Sequence, residues 1–380
     1  VTLALDAKAK ALAAAGVDVV NMSVGEPDFE APEVARRAAS ERALSGPVRY
    51  TPPAGTPALR QAVAAHLEAT RGVAYAPQDV VVCHSTKHAL SGTVLALVDP
   101  GDEVLLLLPA WVSYVEIVKV AGGVPVAVTA RPDMGPDLEA IRRAITPRTK
   151  AILLNSPSNP SGYVWTREEI AAITRLALEH DLWLVSDEIY RRLVYEGEPN
   201  PSPVQVDPAA RARTVVLDGA SKVYAMTGYR IGFAAGPREV IDAVAALHSQ
   251  LTGSPNAVSQ AAYQAALEAH DGEPTEVGAM AAEFDARRRV LLERLEGLGL
   301  ATPRPRGAFY AFTDVSPWLD ERGSVGFCED LLEARKLALV PGAAFGVDTH
   351  VRLSYATSLD RIEEAVRRLG SFLAERPRVR

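Results

Sequence analysis

The sequence predicts an α/β protein: a mainly parallel seven-stranded sheet between helices, with a smaller α+β domain beside it. Two observations carry that expectation. Between about residues 79 and 236, seven short runs rich in Val, Ile and Leu alternate with helical stretches. Runs apolar on both faces read as buried strands of a parallel sheet, and regular alternation covers both sheet faces with helices. The rhythm then changes over the last hundred residues of a 380-residue chain, which exceeds the roughly 250–300 residues that one core sustains.

In order, the apolar runs cover residues 80–83, 104–108, 124–128, 151–154, 182–185, 214–217 and 231–235. Helices are expected between most of them; the one over 166–180 opens with Thr166 and has Glu169 three residues later, a capping-box pattern. A long helix over 277–295 leads into a strand over 308–312. A helix over 327–335, a strand over 351–355 and a terminal helix from about 359 follow. The expected division is a large domain over 29–282 and a small domain joining 1–28 to 283–380, with the long helix as the bridge.

Composition excludes several functions. A formal charge of −7, from 40 basic and 47 acidic residues, leaves no concentrated basic face, so no nucleic-acid partner is expected. Cys83 and Cys328 form no CxxC pair, which argues against a disulfide framework or structural zinc and for a reducing cytoplasm. No run of 18 apolar residues offers a membrane span, and the first twenty residues lack a signal-peptide core. Val1 stands in place of an initiating Met, so the native start is expected to be missing. GxGxxG, GxxxxGK, HExxH and G-x-S-x-G are all absent. His84 and His88 are spaced to share a metal, but no third ligand is evident and no metal is expected.

The polar residues that could do chemistry fall where the apolar runs end, and open α/β sheets bind ligands at the carboxyl ends of their strands. These clusters are His84-Ser85-Thr86-Lys87, the stretch 155–162, Ser186-Asp187-Glu188-Ile189-Tyr190 and Asp218-Gly219-Ala220-Ser221-Lys222. Seven of the 40 basic residues are lysines, so arginine is the default cation and Lys222 stands out. A lysine amine can lose its proton when desolvated and then attack a carbonyl. Arg230 lies eight residues on, in a turn suited to gripping a phosphate. Ser85 and Thr86 at a helix start offer donors to an anion, though both residue types are ordinary caps.

Asp187 follows a buried strand and calls for a cationic partner, such as a protonated pyridine nitrogen; an N-cap role reads equally well. Tyr190 and Asn159 could reach a ring oxygen. Trp111 could stack on a heteroaromatic ring or belong to the core. Arg352 interrupts an apolar strand and needs either a substrate carboxylate or a structural ion pair.

With these residues in this order, the chain resembles the class I aminotransferases of fold type I, in particular the bacterial aspartate aminotransferase branch, over about residues 2–373. The resemblance rests on Val24-Gly25-Glu26-Pro27-Asp28-Phe29, Tyr50-Thr51-Pro52-Pro53-Ala54-Gly55, the stretch 155–162, Ser186–Tyr190 as quoted above, Ser221-Lys222 through Arg230-Ile231-Gly232, and Arg352-Leu353-Ser354-Tyr355. It implies pyridoxal 5′-phosphate as cofactor and Lys222 as its Schiff-base lysine and proton shuttle. Asp187 is implied as the partner of the pyridine nitrogen, Tyr190 and Asn159 of the phenolate oxygen, and Trp111 as the stacking aromatic. Ser85, Thr86, Ser221 and Arg230 resemble the phosphate cup. Tyr50 resembles the tyrosine that reaches the neighbouring subunit's phosphate, which implies a homodimer with shared active sites.

Arg352 resembles the clamp for the substrate α-carboxylate, assisted by Asn159 and the backbone near Gly25, and Lys87 resembles the lysine for the distal carboxylate. The expected activity is ping-pong transfer of the aspartate amino group to 2-oxoglutarate. The alternatives are an aminotransferase for aromatic, prephenate-like or neutral amino acids, or a C–S β-lyase on the same cofactor. A cofactor-sensing regulator is the remote alternative, disfavoured by the acidic charge and by the lack of room for a DNA-binding domain.

Overall fold

The structure is a computed structural model that describes residues 2–197, 200–269 and 275–378. Its large sheet contains β1 (Val80–Cys83), β2 (Glu103–Leu108), β3 (Val124–Thr129), β4 (Thr149–Asn155), β5 (Trp183–Asp187), β6 (Thr214–Gly219) and β7 (Gly232–Ala235). Their spatial order is β1-β7-β6-β5-β4-β2-β3. Strand β7 runs antiparallel to both neighbours and every other pairing is parallel, so the mainly parallel expectation holds.

The apolar runs mark the strands but understate them where a polar residue finds a partner inside the sheet. β5 extends to Asp187 and β6 beyond Asp218, because those carboxylates are bonded to Tyr114 and Arg71 and so can be buried. The helix Arg167–Glu179 opens on the expected reciprocal cap: Thr166 Oγ1 accepts from the Glu169 amide at 3.2 Å, and the Glu169 carboxylate accepts from the Thr166 amide at 3.0 Å.

The smaller sheet joins β8 (Tyr310–Asp314), β9 (Val340–Pro341) and β10 (His350–Ser354) antiparallel, in the order β9-β10-β8. The expected strand over 308–312 begins later, at Tyr310, because Ala308 has a left-handed backbone with φ 56°. Val20–Asn21 pairs in parallel with Leu337–Ala338, tying the N-terminal segment to the C-terminal one. Leu5, Val20 and Met22 accordingly share a core with Phe309, Phe327, Leu353 and Leu369.

The helix Thr275–Gly297 spans two cores. Val277 belongs to the core on one face of the large sheet, whereas Met280, Phe284, Leu291 and Leu295 belong to the smaller unit's core. Ile189 and Tyr190, just past β5, also pack into that second core, so the end of the large sheet is braced against the smaller unit. Among the described residues, no helix is long and apolar enough to cross a membrane.

Candidate active site

The carboxyl ends of β1, β4, β5 and β6 open into one cavity of about 680 Å³, a size suited to a small ligand. Gly25, Ser85, Thr86, Lys87, Trp111, Asn159, Asp187, Tyr190, Ser221, Lys222, Arg230 and Arg352 all line it. Four clusters spread over residues 84–222 therefore converge, together with the N-terminal loop and Arg352. Tyr50 is not among them; it projects from the surface, 99% exposed.

Lys222 lies in the short helix Ala220–Val223 that follows β6, and its Nζ donates to the Gly25 carbonyl. Burial lowers its pKa to about 8, with Glu26 opposing the fall and Arg352 and Arg230 adding to it. A larger fraction of this lysine than of a solvated one is therefore neutral near pH 7, and that fraction is the nucleophile.

Asp187 ends β5, buried, with Oδ1 accepting from the Ile189 amide at 3.2 Å and Oδ2 from the Tyr114 hydroxyl at 2.8 Å. No helix follows it, since residues 189–192 form turns, so the N-cap reading falls away. Burial pushes its pKa up to about 6; the bonds from Tyr114 and Ile189 hold it down, and nearby Asp218 and Glu188 raise it further. Such a carboxylate faces the cavity without a bonded cation among the described residues, which suits a cationic ring nitrogen.

Tyr114 was not singled out in the sequence. It lies in the first turn of helix Val112–Val120, three residues after Trp111, and one tyrosine in an apolar helix carries no local sign of a distant carboxylate. Tyr310 was likewise hidden within an apolar strand; its hydroxyl lies 2.9 Å from that of Tyr190, and burial raises the pKa of both phenols.

Arg352 is buried in β10. Its Nη1 donates to Asn159 Oδ1 at 2.9 Å and its Nη2 to the Ser23 carbonyl at 2.7 Å, while Nε has no partner among the described residues. Among those residues no carboxylate pairs with it, so the structural ion-pair reading fails and an anion from outside the chain is called for. The Lys87 Nζ lies 4.5 Å from the centre of the Trp111 ring; burial, and then Arg230, lower its pKa.

The helix Thr86–Leu97 points its start at the cavity, capped by Ser85, whose Oγ accepts from the His88 amide at 3.2 Å. Thr86 Oγ1 is buried without a partner among the described residues. A Cβ on Gly219 would come within 2.7 Å of that oxygen, and one on Gly232 within 2.6 Å of the Thr86 amide, so both glycines allow the strands to close on the helix start. Arg230 holds a left-handed backbone with φ 53° and donates to the Thr227 carbonyl at 2.8 Å, at the same rim. An unpartnered hydroxyl, a helix start and an arginine fit a phosphate. With Asp187 for a ring nitrogen and Lys222 for an aldehyde, the donor set fits pyridoxal phosphate.

The family model described as aminotransferase class I and II matches residues 17–369. The aspartate/prephenate aminotransferase of Thermus thermophilus is 46% identical over 374 residues, covering 98% of this chain and 95% of that protein. The aspartate aminotransferase of Geobacillus stearothermophilus is 42% identical over 381 residues, covering 99% and 96%. Among solved structures, the Thermus thermophilus aspartate aminotransferase with maleate superposes with a TM-score of 0.93 at 46% identity, covering 97% of this chain and 96% of that one. The Thermotoga maritima aspartate aminotransferase gives 0.91 at 38%, covering 98% and 97%.

Proposed function

The chain belongs to the class I and II aminotransferases and is a pyridoxal-phosphate-dependent enzyme of fold type I acting on amino acids and 2-oxo acids; from that premise we propose that it moves the amino group of aspartate to 2-oxoglutarate by a ping-pong mechanism. The observation that carries the choice of substrate is a pair of cations. Arg352 and Lys87 line one cavity, and neither has a carboxylate partner among the described residues. Two cations suit a substrate with two carboxylates. The relatives named for aspartate, and the neighbour solved with maleate, support the same reading.

Pyridoxal phosphate, when bound, supplies an aldehyde that condenses with amines and a ring that takes up the electron pair left by the departing α-proton. Ser85, Thr86, Ser221 and Arg230 would hold its phosphate, Asp187 its ring nitrogen, Tyr190 and Asn159 its ring oxygen, and Trp111 its face. Arg352, steadied by Asn159 and the Ser23 carbonyl, fixes the α-carboxylate, and Lys87 fixes the distal one. So held, the substrate presents its α-C–H bond to Lys222. The Lys222 amine, whose pKa its burial brings down toward neutrality, takes the α-proton and later returns it. Asp187, as a carboxylate, keeps the ring nitrogen protonated, while Tyr114 favours that charged form through its hydrogen bond.

Tyr50 is fully exposed and contributes nothing to its own chain's cavity, which supports its assignment to a second copy's phosphate and hence a homodimer with shared sites. The two cores support the division into 29–282 and 1–28 with 283–380. A cytoplasmic location completes the proposal.

A panel of amino donors assayed with 2-oxoglutarate tests the reading. Aspartate should give the highest kcat/KM, with parallel double-reciprocal lines. A strong preference for methionine, tyrosine or cystathionine would overturn the aspartate assignment. Prephenate as acceptor is the second reading, because the Thermus relative is named for both acids, and the same panel run with acceptors decides it.

A further inference from the structure

One cavity-lining side chain touches three of the groups assigned to cofactor and substrate. Tyr310 opens β8, beside Arg352 in β10. In their antiparallel pairing Arg352 stands opposite Phe312, two residues on from Tyr310, so the Tyr310 and Arg352 side chains share a sheet face as diagonal neighbours. The central carbon of the Arg352 guanidinium accordingly lies 4.4 Å from the centre of the Tyr310 ring, and 5.2 Å from that of the Phe345 ring. The Tyr310 hydroxyl lies 2.9 Å from that of Tyr190, and a Cβ on Gly25 would stand 3.0 Å from its oxygen.

The direction of the bond between the two hydroxyls follows from where Tyr190 sends its proton. Both phenols are buried, and both keep their protons at neutral pH because burial raises their pKa. A phenolic hydroxyl has one proton to give. When Tyr190 gives it to the cofactor's ring oxygen, its own oxygen has to accept from Tyr310. Tyr310 thereby turns the Tyr190 proton toward the cavity, and two hydroxyls in a chain donate more strongly than one alone.

We propose that Tyr310 is a positioning residue for the transamination, aiming the Tyr190 proton at the ring oxygen and holding the Arg352 guanidinium in place for the substrate α-carboxylate. The inference rests on the assignments of Tyr190 and Arg352 made above, and not on the choice of aspartate. Its two halves use different parts of one side chain. The hydroxyl serves Tyr190. The ring, together with Phe345, holds Arg352 by cation–π attraction, which is strongest where water is excluded.

The first readout is the pH at which the visible absorption band of the loaded enzyme changes, which reports the proton on the cofactor-linked Lys222 nitrogen. Donation from Tyr190 draws negative charge off the ring oxygen beside that nitrogen, so weaker donation holds the proton more tightly and moves the midpoint up. Tyr310→Phe should raise the midpoint by at least about 0.5 pH unit, the shift that one net hydrogen bond corresponds to. In a Tyr190→Phe background the same substitution should shift nothing, because it acts through Tyr190. The second readout is KM for whichever amino donor ranks first in the panel. It should stay within about twofold in Tyr310→Phe, which keeps the ring, and rise at least about fivefold in Tyr310→Leu.

Each variant is verified as folded by circular dichroism, and Tyr310→Met takes the place of a Tyr310→Leu that does not fold. A Tyr310→Phe midpoint that stays put or falls, while Tyr190→Phe raises it, would overturn the role of the hydroxyl; a fall would show Tyr190 giving its proton to Tyr310 instead. An equal shift in the Tyr190→Phe background would overturn it too, since the effect would then bypass Tyr190. A wild-type KM in the folded Tyr310→Leu enzyme would overturn the role of the ring. If Tyr190→Phe itself leaves the midpoint unmoved, the assignment of Tyr190 fails and this inference fails with it.

Discussion

Replacing Asp187 by Asn should cut activity steeply and yet make the cofactor-free protein more stable. The carboxylate is buried and bonded only by neutral donors, the Tyr114 hydroxyl at 2.8 Å and the Ile189 amide at 3.2 Å. Its pKa rises from 3.8 to about 6, so holding it charged costs the folded state. The sign follows from the direction of the shift: a raised carboxyl pKa means the folded state binds the proton more tightly than the unfolded chain. The cost is nil well below 3.8, grows as pH rises, and is complete above about 6.

At roughly 1.4 kcal/mol per pH unit, a rise of about two units comes to about 3 kcal/mol at pH 8 and about half of that at pH 5. Asn keeps the shape: its oxygen can accept from Ile189, and its amide can donate to Tyr114, whose hydroxyl turns to accept. The measurement is the urea midpoint of the two cofactor-free proteins at pH 8 and pH 5. The Asn variant should gain at both, more at pH 8, and should lose about 10²–10³-fold in kcat once loaded. An Asn variant that is less stable at pH 8, or whose gain does not shrink at pH 5, would refute the claim that this carboxylate is held at a cost for a cationic partner.

Two further outcomes follow. Lys87→Ala removes the cation assigned to the distal carboxylate, so kcat/KM for aspartate should fall about 10- to 100-fold while that for alanine stays within about twofold; equal losses would unseat the assignment. Arg71 bonds Glu188 at 2.9 Å and Asp218 at 2.7 Å within the core, so Arg71→Met should cost about 3–5 kcal/mol in chemical denaturation. Adding Glu188→Gln and Asp218→Asn should restore much of that loss, and a lone Arg71→Met that unfolds like wild type would show that the cluster contributes little.

The parts of this molecule that could be read from the sequence share one property: their signal is local. A buried strand shows as a short apolar run, and a ligand-facing strand end shows as a polar cluster placed directly after it, which is how Lys222, Asp187 and Asn159 were legible. Lys222 was also visible against an arginine-rich background, because a chain that otherwise uses arginine has a chemical reason for a lysine there.

Direction and partnership are not local, and there the sequence is silent. Nothing in the run 231–235 says that β7 runs against its neighbours, since an apolar run looks alike in both directions. Arg71 and Tyr114 are ordinary helix residues until the fold brings them to Glu188 and Asp187, 117 and 73 positions away.

The residues hidden in this way touch the legible ones. Tyr114 sets the charge of Asp187, Tyr310 bonds Tyr190, and Arg71 neutralises the two carboxylates on either side of the β5–β6 strand ends. The chemistry is written where the chain bends at a strand end. The electrostatic tuning of that chemistry comes from elements whose own sequence has no reason to advertise it, and only the folded arrangement exposes it to test.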